Sequence, residues 1–484
     1  MQVHLSQVSS IESSADLAIL IANSAQEAFS FCNSKEEEDY LLQKIQQGEG
    51  LIVLNQWKRK VYCLALQNIA KENSPTYEVT EKIRRSGGRI AQLLKEDRSH
   101  RIQVTTEVEN AAFLFALVEG IALGAYQFLK YQPEKLTASQ PLQIDCCAKA
   151  ASQGLLKELA NVINANFLVR DLVNEPPAAM NISQLCQQAQ QAGVSAGFET
   201  RLMRKAEIEA LQMNGLLTVN KGSFEEPAFI EMTYCPRNAV NANPLVLVGK
   251  GIVYDTGGYS IKTEGMEWMK CDMAGAAIVI GTLHAIAANQ LPCYVIGLVP
   301  VTDNRISAHA YVPGDIITYA NGKTVEVINT DAEGRLILAD ALIYAQKFAP
   351  HLVVDVATLT GSAIRAIGWQ ACAMMCTAGE EIKQKFAESA RATYERFVEF
   401  PLWEEYDEYL KSNIAHLKNV GPPEAGAITA AKFLQHFTNY PWIHLDVAGV
   451  VLLKSAETHR PAGATGFGVR LLYDFAKRLF GIQS

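Results

Sequence analysis

Asp331 and Glu333 stand two residues apart in the stretch Asn329-Thr330-Asp331-Ala332-Glu333-Gly334-Arg335-Leu336. A strand-like run, residues 324–328, stops just before it, and a helix-like run rich in Leu, Ile and Ala begins at about Arg335. Alternation within the turn between them aims both carboxylates to one side, where two hard oxygen ligands can share a cation. An acidic helix N-terminus, where carboxylates favour the macrodipole, gives the same local pattern. A second cluster upstream weighs against that simpler explanation. There the apolar run 245–248 leads into a glycine-rich loop carrying Lys250, Asp255 and Lys262, with Asp272 following. Four acidic groups, Asp255, Asp272, Asp331 and Glu333, repel one another unless cations sit among them. Both clusters follow strand-like runs, the place where open α/β sheets bind ligands.

Other chemistries fit less well. Gly249-Lys250-Gly251 lacks the Ser or Thr of a phosphate loop and the further glycine of a dinucleotide fingerprint. No nucleophile elbow surrounds Ser260 or Ser307. The nine histidines show no zinc-binding spacing, so oxygen ligands must do most of any metal binding. For Lys250 an ordinary salt bridge to one of the aspartates competes with any chemical role. Surface charge competes likewise for Lys262 and Arg335. Asp355, beside the apolar run 352–356, is expected to orient the active-site loops, and Asp446 to be structural in the same way.

The octapeptide Asn329 to Leu336 matches, at all eight positions, the signature of the cytosolic leucyl aminopeptidase family, and residues 248–262 resemble that family's metal loop. Weaker similarity runs from Ala116-Leu117-Val118-Glu119-Gly120 to Gly463-Ala464-Thr465-Gly466-Phe467-Gly468, with little of it in the first hundred or so residues. The resemblance implies a two-metal exopeptidase using Mn2+ or Zn2+. Lys250, Asp255, Asp272 and Glu333 would hold one ion, and Asp255, Asp331 and Glu333 the other, with Asp255 and Glu333 bridging. A water shared by the ions would attack the peptide carbonyl, Lys262 would stabilise the oxyanion, and Arg335 would hold a bicarbonate. Thr358, Leu359, Thr360 and Gly361 match the substrate loop. Met266 and Ala448 match the lining of the first side-chain pocket, implying leucine-like or methionine-like N-termini. The family also implies a homohexamer acting on peptides. Some of its members bind DNA as regulators, which is the rival reading, whereas a metal-dependent phosphoesterase lacks its phosphate loop here. One departure is visible. The segment from Lys262 to Asp272 is a residue shorter than the family's, at Thr263-Glu264-Gly265, so altered selectivity with normal metal binding is expected.

The supporting elements read as α/β. At 484 residues two domains are the natural division. The expectation is a smaller N-terminal α/β domain over 1–150 for packing or regulation, a linker helix over 151–171, and a catalytic domain over 172–484. In the last, a mixed, mostly parallel sheet covered by helices is expected from the apolar runs 245–248, 294–299, 324–328, 352–356 and 443–447. In the first half, residues 111–131 read as one long helix stopped at Pro133, and 134–152 as a polar connection. Net charge of −8 gives no electrostatic reason to expect nucleic acid, although Arg84-Arg85 could form a local basic patch. The uncharged stretch 273–302 is broken by Asn289-Gln290-Leu291-Pro292 and reads as a buried helix and strand, not a membrane span. Ten cysteines without a Cys-x-x-Cys pair, and a start lacking a signal core, lead to the expectation of reduced thiols in a cytoplasm.

Overall fold

The computed structural model describes residues 3–21, 25–70, 75–106, 108 and 110–482, and they form two compact α/β units. Of the described residues, the first takes those up to 164 together with 454–462, and the second takes 165–453 and 463–482. Helix Gln153–Asn174 carries the chain from one into the other, so the division falls inside the helix expected as a linker.

The first unit is built on a six-stranded sheet whose central pairs are parallel. Strand Leu142–Cys146 lies within it, between Val3–Gln7 and Arg101–Thr106, in the segment read from sequence as a polar connection. Its Leu-Gln-Ile-Asp-Cys alternation is the period-two signal that the surrounding polar residues obscure. The apolar helix also ends earlier than expected, at Gly124. Pro133 opens the next short helix, Pro133–Ala138, at the first-turn position where its missing N–H costs nothing. Helices Thr76–Glu96 and Ala111–Gly124 cross closely at Gly120, where a Cβ would stand 2.0 Å from the Arg84 carbonyl oxygen.

The second unit is organised by a larger mixed sheet. Its strands run in the order Phe397–Glu399, Cys372–Cys376, Trp442–Asp446, Leu352–Ala357, Leu245–Gly249, Val295–Asn304, Ala228–Tyr234 and Glu199–Met203, with Gly251–Asp255 pairing onto Val295–Asn304. The central four are mutually parallel and buried along their whole length, as continuous apolar runs covered by helices require. Helices Ala274–Ala288 and Gly334–Ala345 pack on this sheet. The expected strand 324–328 is the exception. Only Thr324–Glu326 is extended, and it belongs to a separate three-stranded sheet with Ile316–Thr318 and Leu417–Lys418. Met266–Ala288 is long and apolar enough to cross a membrane, yet 89% of its apolar window is buried inside the protein. That burial marks it as a core element. All ten cysteines are free thiols.

Candidate active site

Parallel packing brings the ends of five neighbouring strands to one edge, and the candidate residues stand there. Lys250 follows Leu245–Gly249, Asp255 ends Gly251–Asp255, Asn304 ends Val295–Asn304, Thr358 follows Leu352–Ala357, and Asp446 ends Trp442–Asp446. Register sets the neighbours, pairing Asp255 with Asn304 and Ala357 with Asp446. Glu333 caps helix Gly334–Ala345, and Asp272 lies in the 3₁₀ helix Met266–Met273. Two glycines permit the approach. At Gly257, φ is +86°, and at Gly334 a Cβ would meet Lys250 Nζ at 2.6 Å.

The four carboxylates converge on two ammonium groups. Lys250 Nζ lies 2.9 Å from Asp272 Oδ1 and 3.0 Å from Glu333 Oε1, and it donates to the Thr358 carbonyl at 2.9 Å. Lys262 Nζ lies 2.7 Å from Asp255 Oδ2 and 2.5 Å from Asp331 Oδ1. Ligand atoms from Asp255, Asp331 and Glu333 fall within 4.8 Å of one another. The salt bridge raised as an alternative for Lys250 is therefore present, and it engages two carboxylates. Lys262 and Arg335 line a cleft of about 860 Å³, so neither is mere surface charge.

Electrostatics follow from burial and from the excess of carboxylates. Burial opposes the charge of Lys250, but Asp272, Glu333 and Asp255 outweigh it and hold the ammonium charged. Lys262 is held charged the same way by Asp255, Glu333 and Asp331. Burial, and then Asp255 and Glu333, push Asp331 up to about 7. Burial likewise raises Asp255 and Asp272, whereas at Glu333 the two lysines overcome burial and lower it. Burial lowers Arg335 to about 10. Asp272 Oδ2 is buried without a hydrogen-bond partner. Negative charge in excess, hard oxygen donors and an unpartnered carboxylate oxygen make a donor set that fits divalent cations.

Side chains beyond the expected set hold this arrangement. Asn304 Nδ2 donates to Asp255 Oδ1 at 2.8 Å and to the Thr330 carbonyl at 2.9 Å, and stands 3.5 Å from Glu333 Oε2. Asn419, fully buried, accepts from the Ile328 N–H at 2.8 Å and donates to the Asn329 carbonyl at 2.7 Å, while its own carbonyl receives Arg335 Nη1 at 2.8 Å. Neither asparagine was singled out from sequence. The loop after strand Leu352–Ala357 depends on Asp446, which accepts from the Leu359 N–H at 3.1 Å, Thr360 Oγ1 at 2.7 Å and the Ala448 N–H at 3.2 Å. Asp355, expected to orient these loops, instead bonds Trp442 Nε1 and His444 Nδ1 inside the sheet.

Thr358, Leu359, Gly361 and Ala448 all line the cleft, and Met266 does not. In a 3₁₀ helix residues three apart share a face. Asp272 stands at the carboxylates, Met269 one turn before it reaches the cleft, and Met266 lies a further turn away, its carbonyl accepting from Tyr254 Oη at 3.1 Å. Met269 replaces Met266 as the methionine of the lining.

Comparison with known proteins agrees with this geometry. Residues 167–473 match the model of the cytosol aminopeptidase family, catalytic domain. A probable cytosol aminopeptidase of Clostridium perfringens is 40% identical over 435 residues, covering 86% of each chain. Another, of Chlorobium limicola, is 41% identical over 389 residues, covering 76% of each. Among solved structures, the bottromycin maturation enzyme BotP in complex with Mn is similar with a TM-score of 0.83 and 27% identity, over 96% of this chain and 100% of that one. A mutant of tomato leucine aminopeptidase is similar with a TM-score of 0.85 and 27% identity, over 98% and 96%.

Proposed function

The chain belongs to the cytosol aminopeptidase family and is a peptidase, and from that premise we propose that it is a two-metal aminopeptidase with leucine-like N-terminal preference. The observation that carries this reading is the convergence of Asp255, Asp272, Asp331 and Glu333 on one edge of the sheet, in excess over the two lysines among them. Asp255, Asp272 and Glu333 would hold one ion, joined by Lys250 once two adjacent divalent charges drive the proton from its ammonium, and Asp255, Asp331 and Glu333 would hold the second. Manganese is supported by the bound metal of the BotP structure, and zinc suits the same mixed donor set. Such ions supply an activated water and polarise the scissile carbonyl.

The chain's own residues do the remaining work. Lys262 supplies positive charge for the developing oxyanion. Arg335, buried and bonded to the Asn419 carbonyl, would hold a bicarbonate, a role that rests on the family resemblance. The Thr358–Gly361 backbone, anchored by Asp446, orients the peptide, and Met269, Leu359 and Ala448 give the first side chain an apolar surface. The names of the relatives support a cytosolic location, and the family resemblance supports a homohexamer. Elemental analysis tests the metal centre. Wild type is expected to hold two divalent ions per subunit, and Asp331→Asn to hold fewer, with its fold unchanged by circular dichroism. A full complement in Asp331→Asn rejects the assignment.

A further inference from the structure

Four cationic side chains line the cleft: Lys250, Lys262, Arg335 and Arg365. Three are committed. The lysines sit among the carboxylates, and Arg335 is bonded to the Asn419 carbonyl. Arg365 pairs with no carboxylate among the described residues, and Glu264, the cleft's other charged group outside the carboxylate cluster, is not its partner. Its hydrogen bond runs from Nη2 to Ser362 Oγ at 2.9 Å. Arg365 lies one turn into helix Gly361–Ile367, and its Nη1 is 3.3 Å from where a Gly361 Cβ would stand. The guanidinium is thus folded back over the first turn of the helix, on the cleft wall, while the residue stays exposed to solvent.

Position gives this free cation a meaning. Thr358 touches the carboxylate cluster, donating to Asp272 Oδ1 at 2.7 Å, and Gly361 is three residues further on. An extended chain covers at most about 10 Å over that span. From a first residue at the cluster end, a peptide's next carboxylate stands about 7 Å of extended chain further on, within that bound. Arginine presents five N–H donors in a planar fork matched to a carboxylate, and most of those donors are unspent here.

We propose that Arg365 is a specificity-determining residue that receives a substrate carboxylate on the far side of the scissile bond. This rests on the aminopeptidase reading of the cleft and names its substrate class: short peptides with a free C-terminus, or peptides with an acidic second residue. Both present the same carboxylate. An ordinary solvated arginine, the simpler account of an exposed side chain, favours neither.

Steady-state kinetics on the full-length, metal-loaded enzyme separate these accounts. The probes are Leu-Ala against Leu-Ala amide, and Leu-Glu amide against Leu-Gln amide, with wild type, Arg365→Gln and Arg365→Lys. Within each pair the N-terminal residue and scissile bond are the same, so the ratio of kcat/KM isolates the carboxylate. A partly exposed charge-assisted pair is expected to give about tenfold preference, mainly through KM. The ratio should fall to near one in Arg365→Gln and recover in part in Arg365→Lys. Collapse of the first ratio alone identifies the C-terminus, and of the second alone the acidic side chain. Ratios equal in wild type and variants overturn the proposal while leaving the peptidase reading intact. A wild type that cleaves none of the four peptides, nor leucine p-nitroanilide, overturns both.

Discussion

At Asn304 one carboxamide touches Asp255, reaches toward Glu333 and holds the Thr330 carbonyl, so it fixes the two carboxylates assigned to both ions. Partners that orient metal ligands typically govern affinity by ~10–100-fold. Asn304→Leu is therefore expected to weaken metal binding by at least about tenfold in chelator competition. A merely structural residue would lower the melting temperature and leave that affinity unchanged, which is the contrary outcome. The acidic cluster was legible in the sequence because a second acidic, glycine-rich stretch lies upstream and because all eight residues of Asn329 to Leu336 match a family signature. Asn304 and Asn419 were not, because a lone asparagine carries no spacing signature until the strands that flank it are paired. Asp355 and Asp446 looked alike in sequence, each near the end of an apolar strand. Only the hydrogen bonds separate the one that serves Trp442 and His444 from the one that holds Leu359 and Thr360 at the cleft.

The short 3₁₀ helix Met266–Met273 decides which methionine faces the cleft. The segment before it ends at Gly265 with φ +74°, and Asp272 still stands 2.9 Å from Lys250 Nζ. Asp272 thus reaches the cluster from this loop, and any consequence of the loop's length is expected to fall on the lining. Met269→Ala should change the leucine-to-methionine-to-alanine ranking of kcat/KM, and Met266→Ala should not. Inserting one glycine after Thr263 should move the ranking toward leucine. Rankings unaltered by Met269→Ala and by the insertion would show the lining to be neutral. Period alone could not find this element, because eight residues with Glu267, Lys270 and Asp272 spread among apolar ones read equally as loop. The same limit explains the strand Leu142–Cys146, hidden among polar neighbours, and Thr324–Glu326, whose apolar alternation says nothing about which sheet receives it.

At the scale of the molecule, the alternation of apolar runs with helical stretches was enough to anticipate two α/β units and the parallel centre of the larger sheet. Its antiparallel margins, Cys372–Cys376 and Ala228–Tyr234, required the pairing itself. Assembly is a separate question. The proposed hexamer predicts a light-scattering mass near six times 53.1 kDa at micromolar concentration, and a stable monomer there contradicts it. With net charge −8, retention of duplex DNA on a filter is not expected at physiological salt, and retention that weakens steeply with added salt would favour the regulatory reading instead.

Four clustered carboxylates would make this protein a metal-dependent aminopeptidase. Leucine p-nitroanilide hydrolysis, followed through exhaustive chelation and then restoration of manganese, zinc or cobalt, tests it most directly. Activity should vanish with the metal and return with at least one of these ions. Full activity in a preparation verified to be metal-free contradicts the account.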